Sequence, residues 1–406
     1  MPAAKRTVQT GLDVALLDPH PILRQAKAFG YVSNQASVTS ALRHGADALC
    51  ERFPETLRTL FGPQHGLWST EQDNMIETGH GSYRGRPVWS LYSESREPTD
   101  EMLEGLDLLV IDLLDVGTRV YTYVWTLVLC MRACAARGID VLVLDRPNPL
   151  GGDIAEGARL DLDYQSFVGM APIPMRHGLT LGELGKYCND VLEIGCRLHV
   201  QEMRGWDRSM LWSDTGCIWV PPSPNLPRFE GALTYPGQVL LEGTNVSEAR
   251  GTTTPFEQFG APWLDSDKLR EWLSASGGVA GCVLRPVAFE PTFQKHSGQV
   301  CRGLFVHCLE PAIYRSYRMT LLILRGLREL HGEDFAWRQP PYEYEHTRLP
   351  IDILTGGQDV RRYVDGSATE SNSSEAPNRR APKLDDLADA PADWWPSTKA
   401  HRLYPR

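Results

Sequence analysis

Acidic, basic and amide side chains follow two short apolar segments in the middle of the chain, at residues 108–112 and 141–145. Between these segments, residues 121–137 carry apolar side chains at helical spacing, which predicts a strand, a helix and a second, parallel strand. Parallel sheets bind ligands beyond the carboxyl ends of their strands, so the polar residues there indicate a binding site for a polar ligand. These residues are Asp112, Asp115, Arg119, Tyr121, Asp145, Arg146 and Asn148.

Two of these acids could transfer protons if their surroundings shift the pKa of one carboxyl group. Asp112 and Asp115, with Arg119 nearby, form a charged cluster that could tune a carboxyl in this way. The alternative is that Asp115 and Arg119 form an i,i+4 ion pair at the start of the helix. From the sequence, both interpretations stay open.

A second candidate site follows the strand predicted at residues 57–61, where the chain continues as GPQHGLW and stays polar to residue 81. Glu77 is the leading candidate for a catalytic acid because Met75 and Ile76 precede it and could exclude water; the alternative is a solvated carboxylate. His65 could hydrogen-bond a ligand hydroxyl or hold a carboxylate in place, or could be structural. Further candidates for ligand binding in this loop are Gln64, Asp73 and Asn74.

The second half of the chain offers residues 242–263, which are rich in small and polar side chains and have little apolar periodicity. Arginine side chains here and in the first half could bind a carboxylate through a bidentate guanidinium, or could equally form internal ion pairs. The arginine candidates are Arg146, Arg176 and Arg250. The other candidate binding residues are His177, Asn225, Glu242, Asn245 and Glu248.

The predicted elements place these residues in an α/β protein. Short strands alternate with helical segments up to about residue 203, which predicts a Rossmann-like parallel-sheet domain over residues 1–215. Residues 216–365 predict a smaller α/β (α+β) domain. Residues 366–383 are rich in Ser, Pro and charge, so residues 366–406 are expected to form a flexible linker and a C-terminal tail that docks back.

Composition excludes several classes of partner and cofactor. The 406 residues have a net charge of −10 and no basic block, so nucleic acid is not an expected partner. Nine cysteines occur without a CxxC pair, which is typical of a reducing compartment. No apolar run is long enough for a signal peptide or a membrane span, so we expect a cytoplasmic protein. Metal-ligand spacing, a GxSxG elbow and a GxGxxG loop are also absent, so we expect no metal or cofactor.

Ordered motifs along the chain resemble those of the DUF1343 family, whose characterised members are exo-β-N-acetylmuramidases of the NamZ type. The motifs include GPQHG at residues 62–66, VLDRPNPLGG at 143–152, MRHGLTLGEL at 175–184 and EGTNVSEARGTTTPFEQFGAPW at 242–263. PPYEYE at residues 340–345 and PIDILTG at 350–356 extend the similarity. The resemblance covers roughly residues 8–365 and the terminal RLYP.

The resemblance implies a Rossmann-like domain and a smaller α/β domain with the active cleft between them. It also implies a small carbohydrate substrate, a muropeptide or peptidoglycan fragment, from whose non-reducing end N-acetylmuramic acid is released. The lactyl carboxylate of that sugar would be the target of the candidate arginines, and no nucleotide cofactor is implied. Enzymes that cleave glycosides generally use two carboxyl groups on either side of the scissile bond.

The chain departs from the family pattern at the first motif. The usual form is GPEHG, and the resemblance assigns the catalytic carboxylate to its Glu, but Gln64 stands at that position. An amide cannot exchange a proton as a carboxyl group does. Either the acid has moved, to Glu71, Asp73 or Glu77, or the chain does different work. The alternatives are hydrolysis of another sugar derivative and carbohydrate binding without catalysis.

Overall fold

The structure is a computed structural model that describes residues 8–72, 76–366 and 382–405. The first half is built around a sheet with the strand order β3-β4-β2-β1-β5-β6-β7. All neighbouring strands are parallel except β3, which pairs antiparallel with β4. The strands are β1 (Phe29–Ser33), β2 (Leu57–Gly62), β3 (Gly81–Tyr83), β4 (Arg86–Ser90), β5 (Leu108–Asp112), β6 (Asp140–Leu144) and β7 (Leu198–Gln201).

Apolar side chains on alternate positions of the central strand β5 point to opposite faces of the sheet. Leu109 and Ile111 join one buried cluster, whereas Leu108 and Val110 join another. Helices cover both faces, which is why the central strands are continuously apolar. The helices of this half are α1 (Gly11–Leu17), α2 (Pro21–Gln25), α3 (Gly45–Arg52), α4 (Tyr123–Ala135), α5 (Leu181–Val191) and α6 (Trp212–Thr215), with a 3₁₀ turn at Leu162–Tyr164.

The second half contains a small antiparallel sheet in the order β8-β10-β9, packed against helices. Its strands are β8 (Gln258–Ala261), β9 (Cys282–Phe289) and β10 (Cys301–Cys308). Its helices are α7 (Phe229–Gln238), α8 (Ser266–Ala275), α9 (Ser316–Leu330), α10 (Pro350–Thr355) and α11 (Asp359–Asp365), with a 3₁₀ turn at Val239–Gly243. Among the described residues, no helix combines the length and apolar character needed to span a membrane.

The predicted α/β class is confirmed by this architecture and by the strand–helix–strand unit β5–α4–β6. Residues 100–105, just before β5, form turns. Helix α3 begins at Gly45, where the His44 side chain accepts the Ala46 N–H and caps the helix. The domain boundary near residue 216 stays a prediction.

The C-terminal segment packs on the first half. It contains the short helices α12 (Leu384–Ala388) and α13 (Trp394–Ser397). Trp394 is fully buried and donates its indole N–H to the His177 carbonyl. Tyr404 donates its hydroxyl to Asp145 at 2.7 Å. The linker expected from residue 366 falls largely on residues 367–381, which lie outside the described residues.

Candidate active site

A cavity lies between the two halves of the chain. Both halves supply polar groups to its wall, and the aromatic rings of Tyr121, Tyr123, Tyr235 and Phe256 form much of the rest. The polar residues are Gln64, His65, Thr122, Ser223, Asn225, Glu242, Arg250, Tyr342 and Glu343. A cavity of this composition suits a small ligand with apolar faces and several polar groups.

The turn after strand β2 brings Gln64 and His65 to the cavity. His65 and Gly66 both have left-handed backbone angles, with φ of 70° and 77°, so the chain reverses sharply after the strand. The His65 ring then contacts the Glu71 carbonyl at 2.6 Å through Nδ1 and the Ser223 hydroxyl at 3.3 Å through Nε2. His65 therefore links the turn to the proline-rich residues 220–227, VPPSPNLP, of the second half.

A chain of hydrogen bonds leads from Gln64 to a carboxyl group that the sequence did not single out. The Thr122 hydroxyl donates to Gln64 Oε1 at 2.6 Å, and Gln64 Nε2 donates to the Tyr92 hydroxyl at 3.3 Å. Tyr92 in turn donates to Glu343 Oε2 at 3.1 Å. Because the amide oxygen already accepts a hydrogen bond from Thr122, Gln64 presents its NH₂ group to Tyr92. The tyrosine hydroxyl is thereby directed toward Glu343.

Glu343 is the carboxyl group in this cavity whose protonation is most strongly perturbed. Its side chain is only 4% exposed. Burial, reinforced by the nearby negative charge of Glu242, raises the pKa of Glu343 to about 7. Its backbone is also in the left-handed region, with φ of 44°, and Tyr344 follows with φ of 68°. Such backbone conformations are costly for non-glycine residues and cluster at functional sites.

Glu242 is the second carboxyl group of the cavity and has a different environment. It is 2% exposed, and Arg250 Nη2 lies 2.8 Å from its Oε1. The Tyr342 hydroxyl donates to its other oxygen at 2.7 Å. Arg250 also lies 3.8 Å from Glu248, which binds Lys295 at 2.8 Å. This buried network compensates the charge of Glu242 and holds its carboxylate in one position.

The structure brings part of the predicted site together in this cavity. The predicted residues that line it are Gln64, His65, Tyr121, Asn225, Glu242 and Arg250. The leading predicted acid, Glu77, is exposed on the surface and does not line the cavity. Asp73 and Asn74 lie outside the described residues.

The polar groups at the ends of β5 and β6 bind each other instead of lining the cavity. Arg146 contacts both carboxylate oxygens of Asp112, at 2.5 and 2.9 Å, and Tyr31 donates to the same carboxylate. Asp145 accepts from the Thr180 hydroxyl and the Gly182 N–H, at the start of helix α5. These side chains therefore form ion pairs and hydrogen bonds within the protein and do not line the cavity.

The remaining predicted residues also have internal partners. Arg176 pairs with Glu156 at 3.2 Å, and Arg119 donates to the carbonyls of Ile173 and Leu354. Asn148 donates to the Leu179 carbonyl, and Asn245 donates to the Asp334 carbonyl. Asp115 lies 3.3 Å from His177 Nε2 and accepts the Gly117 N–H, so the alternative i,i+4 pair with Arg119 is not formed. Glu248 binds Lys295, as described above.

Glu343, Tyr342 and Tyr92 are not among the residues that the sequence predicts at the site. Residues 340–345, PPYEYE, served only to extend the family resemblance. Two tyrosines on either side of an acid, directly after two prolines, form an aromatic segment of fixed direction, and that is a signal for a buried carboxyl. Tyr92 lies just after the end of strand β4.

The chain is similar throughout its length to known proteins. Family models described as exo-β-N-acetylmuramidase NamZ, N-terminal and C-terminal, match residues 29–230 and 233–381. The peptidoglycan β-N-acetylmuramidase NamZ of Bacillus subtilis (strain 168) is 42% identical over 374 residues, which cover 91% of this chain and 87% of that protein.

Two crystal structures of DUF1343 family proteins from Bacteroides fragilis NCTC 9343 share the fold. One has a TM-score of 0.83 and 28% identity, covering 99% of this chain and 100% of its own. The other has a TM-score of 0.70 and 26% identity, covering 98% and 99%. Together with the family models and the B. subtilis relative, these similarities show that the chain is a glycoside hydrolase and belongs to the exo-β-N-acetylmuramidase NamZ family.

Proposed function

We propose that this chain releases the terminal N-acetylmuramic acid from small peptidoglycan fragments, with Glu343 as the general acid and Glu242 as the second carboxyl group. The observation that carries the assignment is the pair itself. Both acids line one buried cavity, and the pKa of Glu343 is raised to about 7 by burial and by Glu242. A buried acid that keeps its proton near neutral pH, next to a second carboxyl group held by an arginine, is a typical arrangement for acid-base catalysis.

The proposed reaction begins with the terminal sugar in the cavity. Protonated Glu343 donates its proton to the glycosidic oxygen, the bond from that oxygen to the anomeric carbon breaks, and the rest of the fragment leaves as an alcohol. The Glu242 carboxylate, held by Arg250 and Tyr342, stabilises the positive charge that develops on the sugar ring. A water molecule then completes the hydrolysis and Glu343 regains a proton.

Gln64 has a positioning role in this proposal. Its amide cannot supply the proton, but it connects Thr122 to Tyr92, and Tyr92 donates to Glu343. We propose that Gln64 orients Tyr92, while His65, Asn225 and Tyr121 contact the bound sugar. The carboxyl group that the family pattern places at residue 64 is thus replaced in its acid role by Glu343.

The substrate assignment can be tested with two chromogenic substrates, a β-N-acetylmuramide and the corresponding β-N-acetylglucosaminide. We expect release from the muramide and much slower release from the glucosaminide. Absence of release from both, beside an active control enzyme, would contradict the proposal. Tight binding of N-acetylmuramic acid without turnover would instead support a carbohydrate-binding protein. The cytoplasmic location stays a prediction, which cell fractionation would test.

A further inference from the structure

A second pocket adjoins the cavity and shares Glu343 with it. This outer pocket is lined by Arg96, Gln165, Ser166, Phe167, Glu343, Tyr344 and Glu345. Tyr344 is 38% exposed, whereas Glu242, Arg250 and Tyr342 of the cavity are each less than 9% exposed. Glu343 therefore stands between an inner cavity with buried walls and an outer pocket on the solvent side.

Arg96 is the distinctive side chain of the outer pocket. Its guanidinium carbon lies 3.5 Å from the centre of the Tyr344 ring, and 5.3 and 5.6 Å from the rings of Tyr92 and Phe167. Its Nε atom is buried and has no hydrogen-bond partner among the described residues. Among the described residues Arg96 forms no ion pair with a carboxylate, and its positive charge only partly offsets the rise in the pKa of Glu343. Aromatic faces hold this guanidinium in place, so its planar set of donors can serve a ligand.

The other groups of the pocket indicate what kind of ligand it fits. Glu345 provides a carboxylate, whose pKa is lowered to about 2 by hydrogen bonds from Thr347 and Arg348. Its negative charge offsets the positive charge of Arg96, so the pocket is not a general anion site. Aromatic faces together with one set of donors and one acceptor suit a neutral sugar, which has both apolar faces and hydroxyl groups.

We infer that the outer pocket binds the leaving-group sugar, the residue on the other side of the scissile bond, and that Arg96 hydrogen-bonds to its oxygen atoms. The inference rests on the proposed function. An exo-acting enzyme encloses the terminal sugar and leaves the remainder of the fragment toward solvent, and the position of Glu343 between the two pockets matches that division. In peptidoglycan the leaving-group sugar is an N-acetylhexosamine.

The test compares two substrates that share the terminal N-acetylmuramic acid. One is the disaccharide with N-acetylglucosamine as leaving group, and the other carries para-nitrophenol, which cannot form the sugar hydrogen bonds. In Arg96→Gln, kcat/KM for the disaccharide should fall roughly tenfold, while kcat/KM for the aryl substrate should change little. Arg96→Lys keeps the charge but loses the planar donor set, so it should show the same selective loss.

Arg402→Gln serves as a matched control, because Arg402 also stacks on an aromatic ring, that of Trp395, but lines neither pocket. It should cleave both substrates like the wild type. Equal losses on both substrates in the two Arg96 variants, or no loss on either, would overturn the inference while leaving the proposed function intact. A wild-type protein that cleaves neither substrate would overturn the proposed function, and this inference with it.

Discussion

Glu343 combines burial with a nearby acid, and this combination makes its ionisation less favourable than that of an ordinary glutamate. Its pKa of about 7 lets the side chain hold a proton where an ordinary glutamate has lost it. If Glu343 is the general acid, kcat/KM should fall as pH rises through about 7, because the deprotonated form cannot donate. The measurement is a pH profile with the disaccharide substrate. A rate that stays constant from neutral to alkaline pH would contradict the assignment.

The same pKa shift predicts how Glu343 affects stability. The folded protein binds this proton more tightly than the unfolded chain, so the free energy of unfolding decreases as pH rises from about 4.5 to about 7. Glu343→Gln removes this cost. The free energy of unfolding of the variant minus that of the wild type should therefore be larger at alkaline pH than at acidic pH, by up to about 3 kcal/mol. Urea unfolding of both proteins at about pH 4 and about pH 8 measures this change. A pH-independent difference would show that Glu343 does not carry the shift.

Gln64 offers a test of the connection between the turn after strand β2 and Glu343. The Tyr92 hydroxyl is hydrogen-bonded to both Gln64 and Glu343. Replacing Gln64 with Glu therefore adds a carboxyl group that is separated from Glu343 only by this hydroxyl. A second negative charge disfavours ionisation of Glu343, so the alkaline fall of kcat/KM should move to higher pH. The wild-type profile is the control. An unchanged midpoint in an active variant would mean that Gln64 and Glu343 are not coupled.

At the scale of elements, the polar strand ends turn out to hold the scaffold together. Asp145 at the end of β6 binds the start of helix α5 and the C-terminal Tyr404. Tyr404→Phe removes two buried hydrogen bonds, the one that Tyr404 donates to Asp145 and the one that it accepts from the Met203 N–H. The free energy of unfolding should therefore fall by about 1–3 kcal/mol. Because these contacts are remote from the cavity lining, kcat/KM should stay at the wild-type value. Urea unfolding and steady-state kinetics check both expectations. A loss of activity without a loss of stability would contradict the structural role and indicate that Asp145 takes part in catalysis.

The elements with local signals are the ones that the sequence predicts well. The period of apolar residues predicts β5, α4 and β6, and Thr180 with Glu183 forms the capping box that starts α5. Partners distant in the chain have no such signal. The pairing of Asp112 with Arg146, and the meeting of Tyr92 with Glu343, 251 residues later, depend on tertiary packing. For this reason the sequence correctly predicts that polar residues follow the strands, but not which of these residues line the cavity.

At the scale of the whole molecule, the site exists only because the two halves of the chain close around it. Candidate residues from the loops at 62–81, 112–121 and 242–251 line the cavity, whereas residues 145–152 do not. The contacts that join the halves are specific. Pro222 accepts hydrogen bonds from Asn34 and Tyr123, and Ser223 meets His65. The catalytic pair proposed here, Glu242 and Glu343, comes entirely from the second half, and the first half positions Glu343 through Tyr92.

Hydrolysis of the muramyl disaccharide by Glu343→Gln and Glu77→Gln tests the central claim most directly. The two variants remove the buried acid proposed here and the exposed acid that the sequence favoured. Loss of the general acid should lower kcat by at least about 100-fold in Glu343→Gln, while Glu77→Gln should match the wild type. Wild-type turnover by Glu343→Gln, together with an inactive Glu77→Gln, would contradict the account.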